Sequence, residues 1–387
     1  MDFSKPNSRD ANKAAVDSTL RDARKLVSLL EDFDGNSSSH EPLLEQVDKI
    51  RASLETPYNT MMNMMEKSCV SAALYALIRI QAFEKIPEQG SVAATDMAAE
   101  CGVDVSVITH AMSILTLNGI GHESQKGHYT HNAQSRAFHP ASLGGLSSLL
   151  FDFVRGWGAL PEYVKSHNPE DLYDTNKTPF ASVMGLYGKT FYEVIDAIPA
   201  LRAQLDSSMQ ETDNYISLPG LAFFTQLEAA RHCTSYGAKL ILQDLPGVIA
   251  SLEPAKMPGI EAMAYDMFTP QPIKDAHVYM IRRLLMDFSD EVVVQLLRII
   301  ASAMGPKSWL VVIDTLGDEQ PSPSGRYATY WGFMGLTYCG KVRSVGDFEG
   351  IFDKAGLGLF KVYRTNDSPT AILGKLKKTS SWREILC

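Results

Sequence analysis

Residues 215–246 read YISLPGLAFFTQLEAARHCTSYGAKLILQDLP, and the rest of the chain is organised around them. The two ends have the spacing of a nucleotide-binding βαβ unit. Residues 215–218 form a short apolar strand, 224–234 carry helical spacing, and 239–243 form a second strand that ends at Asp244. That acid falls about twenty residues beyond the first turn, where such units set a carboxylate against ribose hydroxyls. The turn departs from the pattern. Pro219, Gly220, Leu221, Ala222, Phe223 and Phe224 stand where glycines would let backbone N–H groups approach a cofactor. Proline has no N–H to offer, and two phenylalanine rings fill the space. The expectation is a cofactor fold whose cofactor loop is plugged, with no cofactor bound.

Working outward, 387 residues predict two or three domains with real cores. Lys and Arg total 36 against 45 Asp and Glu, a net charge of −9, which argues against nucleic acid or anionic membrane as a partner. Five scattered cysteines without CxxC spacing read as reduced thiols. With no apolar signal core and no run of spanning length, they predict a cytoplasmic protein.

In chain order, 14–33 and 42–55 are amphipathic helices, and 58–83 is a long helix rich in methionine. Next, Thr95 or Ser91 is expected to cap a short helix ended by Gly102. Residues 105–117 form a second helix, and 123–129 a two-stranded wing with Lys126 and Gly127 at its tip. This is a winged helix. Its recognition helix carries no Arg or Lys, so it has little to offer DNA phosphates. Residues 140–210 read as helical and aromatic. From 215 onward strands and helices alternate, with strands at 263–264, 277–281, 309–314 and 358–363 and helices at 290–303, 327–338 and 345–355. That pattern predicts a mostly parallel, doubly wound sheet whose ligands lie beyond the strand C-termini. The expected divisions are a helical extension at 1–55, a winged-helix domain at 56–140, a helical linker at 141–210 and a Rossmann-like domain at 211–387.

The phrases LILQDLPGVI (240–249), GIEAMAYDMF (259–268), HVYMIRRLLMDFSDE (277–291) and the GKVRS that opens at Gly340 now line up. With the winged helix before them, they resemble the S-adenosylmethionine-dependent O-methyltransferases of plant and fungal small-molecule metabolism. The resemblance covers roughly residues 55–375. It implies a homodimer formed through the winged-helix half. It implies Asp244 as the ribose-side acid and Asp266 with Met267 on the adenine side; with Gly220, these stand as vestigial cofactor positions. In that family a histidine base precedes an aspartate. Here the motif reads Met286-Asp287-Phe288, and a thioether takes no proton from a phenol. Loss of both the glycine turn and the base resembles the fungal methyltransferase-like pericyclases of the leporin type, which cyclise polyenes without methyl transfer.

A pericyclase needs an apolar chamber with one or two polar anchors. Arg283, Asp287 and Ser148 are the catalytic candidates. Phe151, Asp152, Trp157, Tyr187, Phe191, Tyr192, Met286, Trp331, Met334 and Thr337 are the candidate lining. The bland alternatives are inter-helix packing for the aromatics, a solvated surface for Arg283 and a helix cap for Asp287. The histidines show no HxxxH or HxH spacing, so no metal is expected. A working O-methyltransferase with a substitute base near Met286, and a non-catalytic dimeric partner, remain as competing readings.

Overall fold

The computed structural model describes residues 9–35, 37–140, 142–206, 237, 239–252, 257–320, 325–363 and 370–377. The 215–218 strand, the 219–224 turn with Gly220, and the 224–234 helix lie outside the described residues. The chain divides into two compact units, Met1–Gln134 and Ser135–Cys387.

In the first unit, α1 (Arg9–Glu31) and α2 (Ser37–Leu54) pack together, with Lys49 Nζ 2.8 Å from Asp22. Helix α3 (Pro57–Arg79) starts cleanly because Pro57 supplies a fixed φ and Thr56 and Asn59 form a reciprocal cap. Helix α4 (Ala94–Cys101) ends at Gly102, whose φ of +66° suits a residue without Cβ. Its N-cap is Ala93, with no side-chain bond, so neither Thr95 nor Ser91 caps it. Helix α5 (Val105–Leu117) is capped by Asp104. Strands β1 (Val92–Ala93), β2 (His122–Gln125) and β3 (His128–Thr130) pair antiparallel as the wing. Leu77, Phe83, Met97, Ile108, Met112, Leu115 and Tyr129 are among the most deeply buried side chains of this unit.

A short α6 (Ala133–Ala137) spans the division. The second unit opens on α7 (Leu143–Ser166), α8 (Pro179–Val183) and α9 (Phe191–Ala197). Strands β4 (Leu240–Asp244) and β5 (Ile260–Ala264) pair parallel, and α10 (Pro246–Ser251) lies between them in sequence. Strand β6 (Val278–Arg282) pairs parallel with β7 (Trp309–Asp314). The run WLVVID is buried along nearly its whole length, as an interior strand between helical layers requires. Helices α11 (Asp290–Ala301) and α13 (Val345–Lys354) pack on the sheet; α12 (Arg326–Gly335) is the aromatic helix.

The sheet is less parallel than its alternating pattern suggests. Strand β8 (Leu357–Tyr363) pairs antiparallel with β9 (Thr370–Leu376), and β9 pairs antiparallel with β7, giving the order β6-β7-β9-β8. A helical N-terminal region followed by a Rossmann-like domain is therefore the architecture. Among the described residues no helix is long and apolar enough to cross a membrane.

Candidate active site

The carboxyl ends of β6 and β7 define the site. Past Arg282 the chain turns through Arg283, whose φ of +50° is left-handed and whose N–H donates to the Ile313 carbonyl at 2.7 Å. A bulky residue held there marks a turn fixed by its surroundings. One 3₁₀ turn follows, Leu285–Asp287. It is held from three sides. The Met286 N–H donates to Asp314 Oδ2 at 3.0 Å, and the Met286 carbonyl accepts from Lys341 N at 2.7 Å. Arg343, 1% exposed, donates to the Leu285 and Phe288 carbonyls and to Asp290 Oδ1. The sequence reading missed Arg343 as a site-shaping residue. Its one signal was its place in the GKVRS phrase.

This clamp presents Asp287 to Tyr192 of α9, whose hydroxyl donates to Asp287 Oδ2 at 2.8 Å. Asp287 keeps some surface as a residue, yet its carboxyl lies deep beneath Tyr192. Burial pushes that carboxyl up to about 6; the Tyr192 bond and Arg283 pull the other way. Asp314 goes up to about 7, through burial first and the charge of Asp287 as well. Tyr192 and Tyr338 are held well above the ordinary phenol range by burial and then by Asp287, so the shared proton stays on Tyr192. Asp287 is not the cap of α11; that position is Ser289.

The aromatic residues converge beside this pair. Phe153, Phe180, Phe191 and Tyr338 stack and tilt against one another at 5.0–5.9 Å between ring centres. Trp157, Trp331 and Met334 belong to the same cluster. Phe153 and Phe180 are sealed core, whereas Phe191, Trp157 and Trp331 are its partly open edge. On α7, Ser148 is fully buried and accepts from Gln204 Nε2 at 3.1 Å. Asp152 is fully buried 3.5 Å from Arg155 Nη1. Thr337 is a joint: its hydroxyl donates to the Met334 carbonyl, and its own carbonyl accepts from Phe180 N. A Cβ at Gly156 would stand 3.1 Å from the Thr337 side chain, so a glycine keeps α7 close. Phe151 is partly buried on α7. Tyr187 is 52% exposed and bonded to His167, outside the cluster.

At the other sheet fragment, Asp244 ends β4, and its carbonyl accepts from Tyr265 N at 2.8 Å. Asp266 follows at the end of β5, where its carboxylate accepts from Phe268 N; Met267 is partly buried beside it. Both acids therefore lie at the C-terminal ends of the parallel pair, Asp244 as the last residue of β4 and Asp266 two residues past β5, the edge where ligands of such sheets bind.

Residues 227–358 match the family model for the O-methyltransferase domain. The chain is 28% identical to O-methyltransferase hmp5 of Hypomyces subiculosus, over 94% of this chain and 97% of that protein. Over 164 residues it is 34% identical to demethylsterigmatocystin 6-O-methyltransferase stcP of Emericella nidulans, covering 41% of this chain and 77% of that protein. Among solved structures, OxaC in complex with sinefungin and meleagrin has a TM-score of 0.80 at 21% identity, covering 96% of this chain and all of that one. LepI in complex with SAM has a TM-score of 0.74 at 20% identity, over 95% of this chain and all of LepI. These complexes overturn the expectation that the fold does without a cofactor: the neighbours carry S-adenosylmethionine or its analogue. The plugged turn on which that expectation rested lies outside the described residues.

Proposed function

The chain belongs to the O-methyltransferase family, and on that premise we propose that it closes a ring by a pericyclic reaction without methyl transfer. The substrate is a polyene intermediate of fungal secondary metabolism, and the closure is of Diels–Alder, hetero-Diels–Alder or Alder-ene type. One observation carries this reading. Met286 stands where the family resemblance places a histidine base, and it is buried and locked between Asp314 and Lys341. A thioether there cannot deprotonate a phenol.

S-adenosylmethionine is part of the reading. Asp244 and Asp266 fit its ribose and adenine ends, and when bound it supplies a fixed positive charge. The chain's own residues do the remainder. Phe191, Trp157, Trp331 and Met334 hold the polyene folded; positioning of this kind is worth on the order of 7–11 kcal/mol in favourable cases. Asp287, oriented by Tyr192, anchors a polar group of the substrate, and Arg283 adds a cation beside it. Ser148 serves as a second anchor. The same premise makes the chain a homodimer through its first unit, where Leu54, Met62, Met65 and Leu117 line an open apolar groove.

A second reading is methyl transfer with Asp287 as substitute base. A carboxyl brought to about 6 accepts protons near neutrality, and the relatives above are named methyltransferases. The deciding experiment deletes the gene and profiles metabolites. An accumulated acyclic or wrongly cyclised polyene supports the first reading. An unmethylated phenol, with S-adenosylhomocysteine released by the purified chain, replaces it with the second.

A further inference from the structure

The Trp157 indole Nε1 is buried, with no acceptor among the described residues. Tryptophan N–H groups normally find a partner when buried, so an orphan invites a functional explanation. The indole lies against Phe333, with ring centres 5.4 Å apart and planes 29° apart. Phe333 is 50% exposed, and Tyr330 and Tyr327 on the same helix are 64% and 57% exposed. Spaced three apart, they form an aromatic stripe on α12 that ends against the face of the Trp157 indole.

We propose that Trp157 is a specificity-determining residue whose in-plane N–H receives an acceptor oxygen of a flat, conjugated ligand that enters at the indole edge beside Phe333. This rests on the reading that the aromatic cluster holds a conjugated substrate. The donor is sealed from solvent, so reaching it takes a side-chain movement, and Phe333 is the contacting ring with open space on its outer side. A carbonyl-bearing ring system then satisfies the donor, and a hydrocarbon of the same shape does not.

The test measures binding, not turnover, so it stands or fails apart from the reaction assigned above. Anthraquinone-2-sulfonate and anthracene-2-sulfonate share shape and charge but differ in carbonyls. Calorimetry on the full chain should show the quinone bound about fivefold to tenfold tighter, the yield of one hydrogen bond. Trp157→Phe keeps a ring and removes the donor; it should bring the two affinities together. Phe333→Leu keeps the donor and removes the stacked ring; it should shift both affinities alike and preserve the preference. The proposal is overturned if neither probe binds, if the wild type shows no preference, or if the preference survives in Trp157→Phe.

Discussion

The Tyr192 hydroxyl donates a 2.8 Å hydrogen bond to Asp287, joining the end of β6 to helix α9 across 95 residues of sequence. The bond does two things at once. It lowers the cost of an ionised carboxylate in a buried place, and it fixes the direction in which the second oxygen points.

Tyr192→Phe removes that donor. The variant should lose about 1.5–3 kcal/mol of stability at neutral pH, the range for a hydrogen bond to a charged group. The Asp287 midpoint should rise further above 6, because the bond is what pulls it down. Carboxyl NMR titration measures the midpoint and urea unfolding measures the loss. An unchanged midpoint would show that the bond does not govern this carboxyl.

Asp287 and Asp314 are both raised above the ordinary carboxylate value of 3.8, to about 6 and about 7. Their protonated forms therefore favour the folded state. Their contribution is full below about pH 4 and is lost as pH rises through 6 and 7. The urea midpoint should fall between about pH 4 and about pH 7, and the fall should be shallower in Asp287→Asn. Equal slopes in the two proteins would remove Asp287 from the account.

Arg343→Ala should cost on the order of 3–5 kcal/mol, since it strips Asp290 and two turn carbonyls of a buried partner. Arg343→Lys keeps the charge but not the planar fork, and should recover only part of that. Thermal unfolding ranks the three proteins. A lysine variant as stable as wild type would mean that the charge, not the geometry, holds the turn.

Met286→His restores a base at the position where the family resemblance places one. With S-adenosylmethionine and a phenolic acceptor, the variant should methylate at least about a hundredfold faster than wild type, the lower end of general-base catalysis. Wild-type turnover equal to that of the variant would make Asp287 the base and favour the second reading.

Dimer formation is checked by sedimentation. The wild type should run as a dimer. Leu117→Asp, which puts a charge on a side chain 83% exposed in the single chain, should shift it to monomer. A monomeric wild type would leave the groove of α2, α3 and α5 without its proposed partner.

Local chemistry settled much of the fold in advance. WLVVID was readable as an interior strand because its apolar run is continuous, and it spans Trp309–Asp314. Gly102 marked the end of α4, because few other residues tolerate its backbone angle. Strand β9 was not legible: its antiparallel place between β7 and β8 breaks the strand–helix alternation, and its pairing depends on both being in place. At the site, sequence could nominate Asp287, Tyr192, Trp157 and Met286 by type and motif. Only the folded chain brought Tyr192 onto Asp287, wrapped Arg343 around the Leu285–Phe288 turn and separated Tyr187 from the aromatic cluster. Periodicity and capping act over a few residues and are written locally. A hydrogen bond or ring contact between distant segments exists only once the backbone has fixed where each side chain starts.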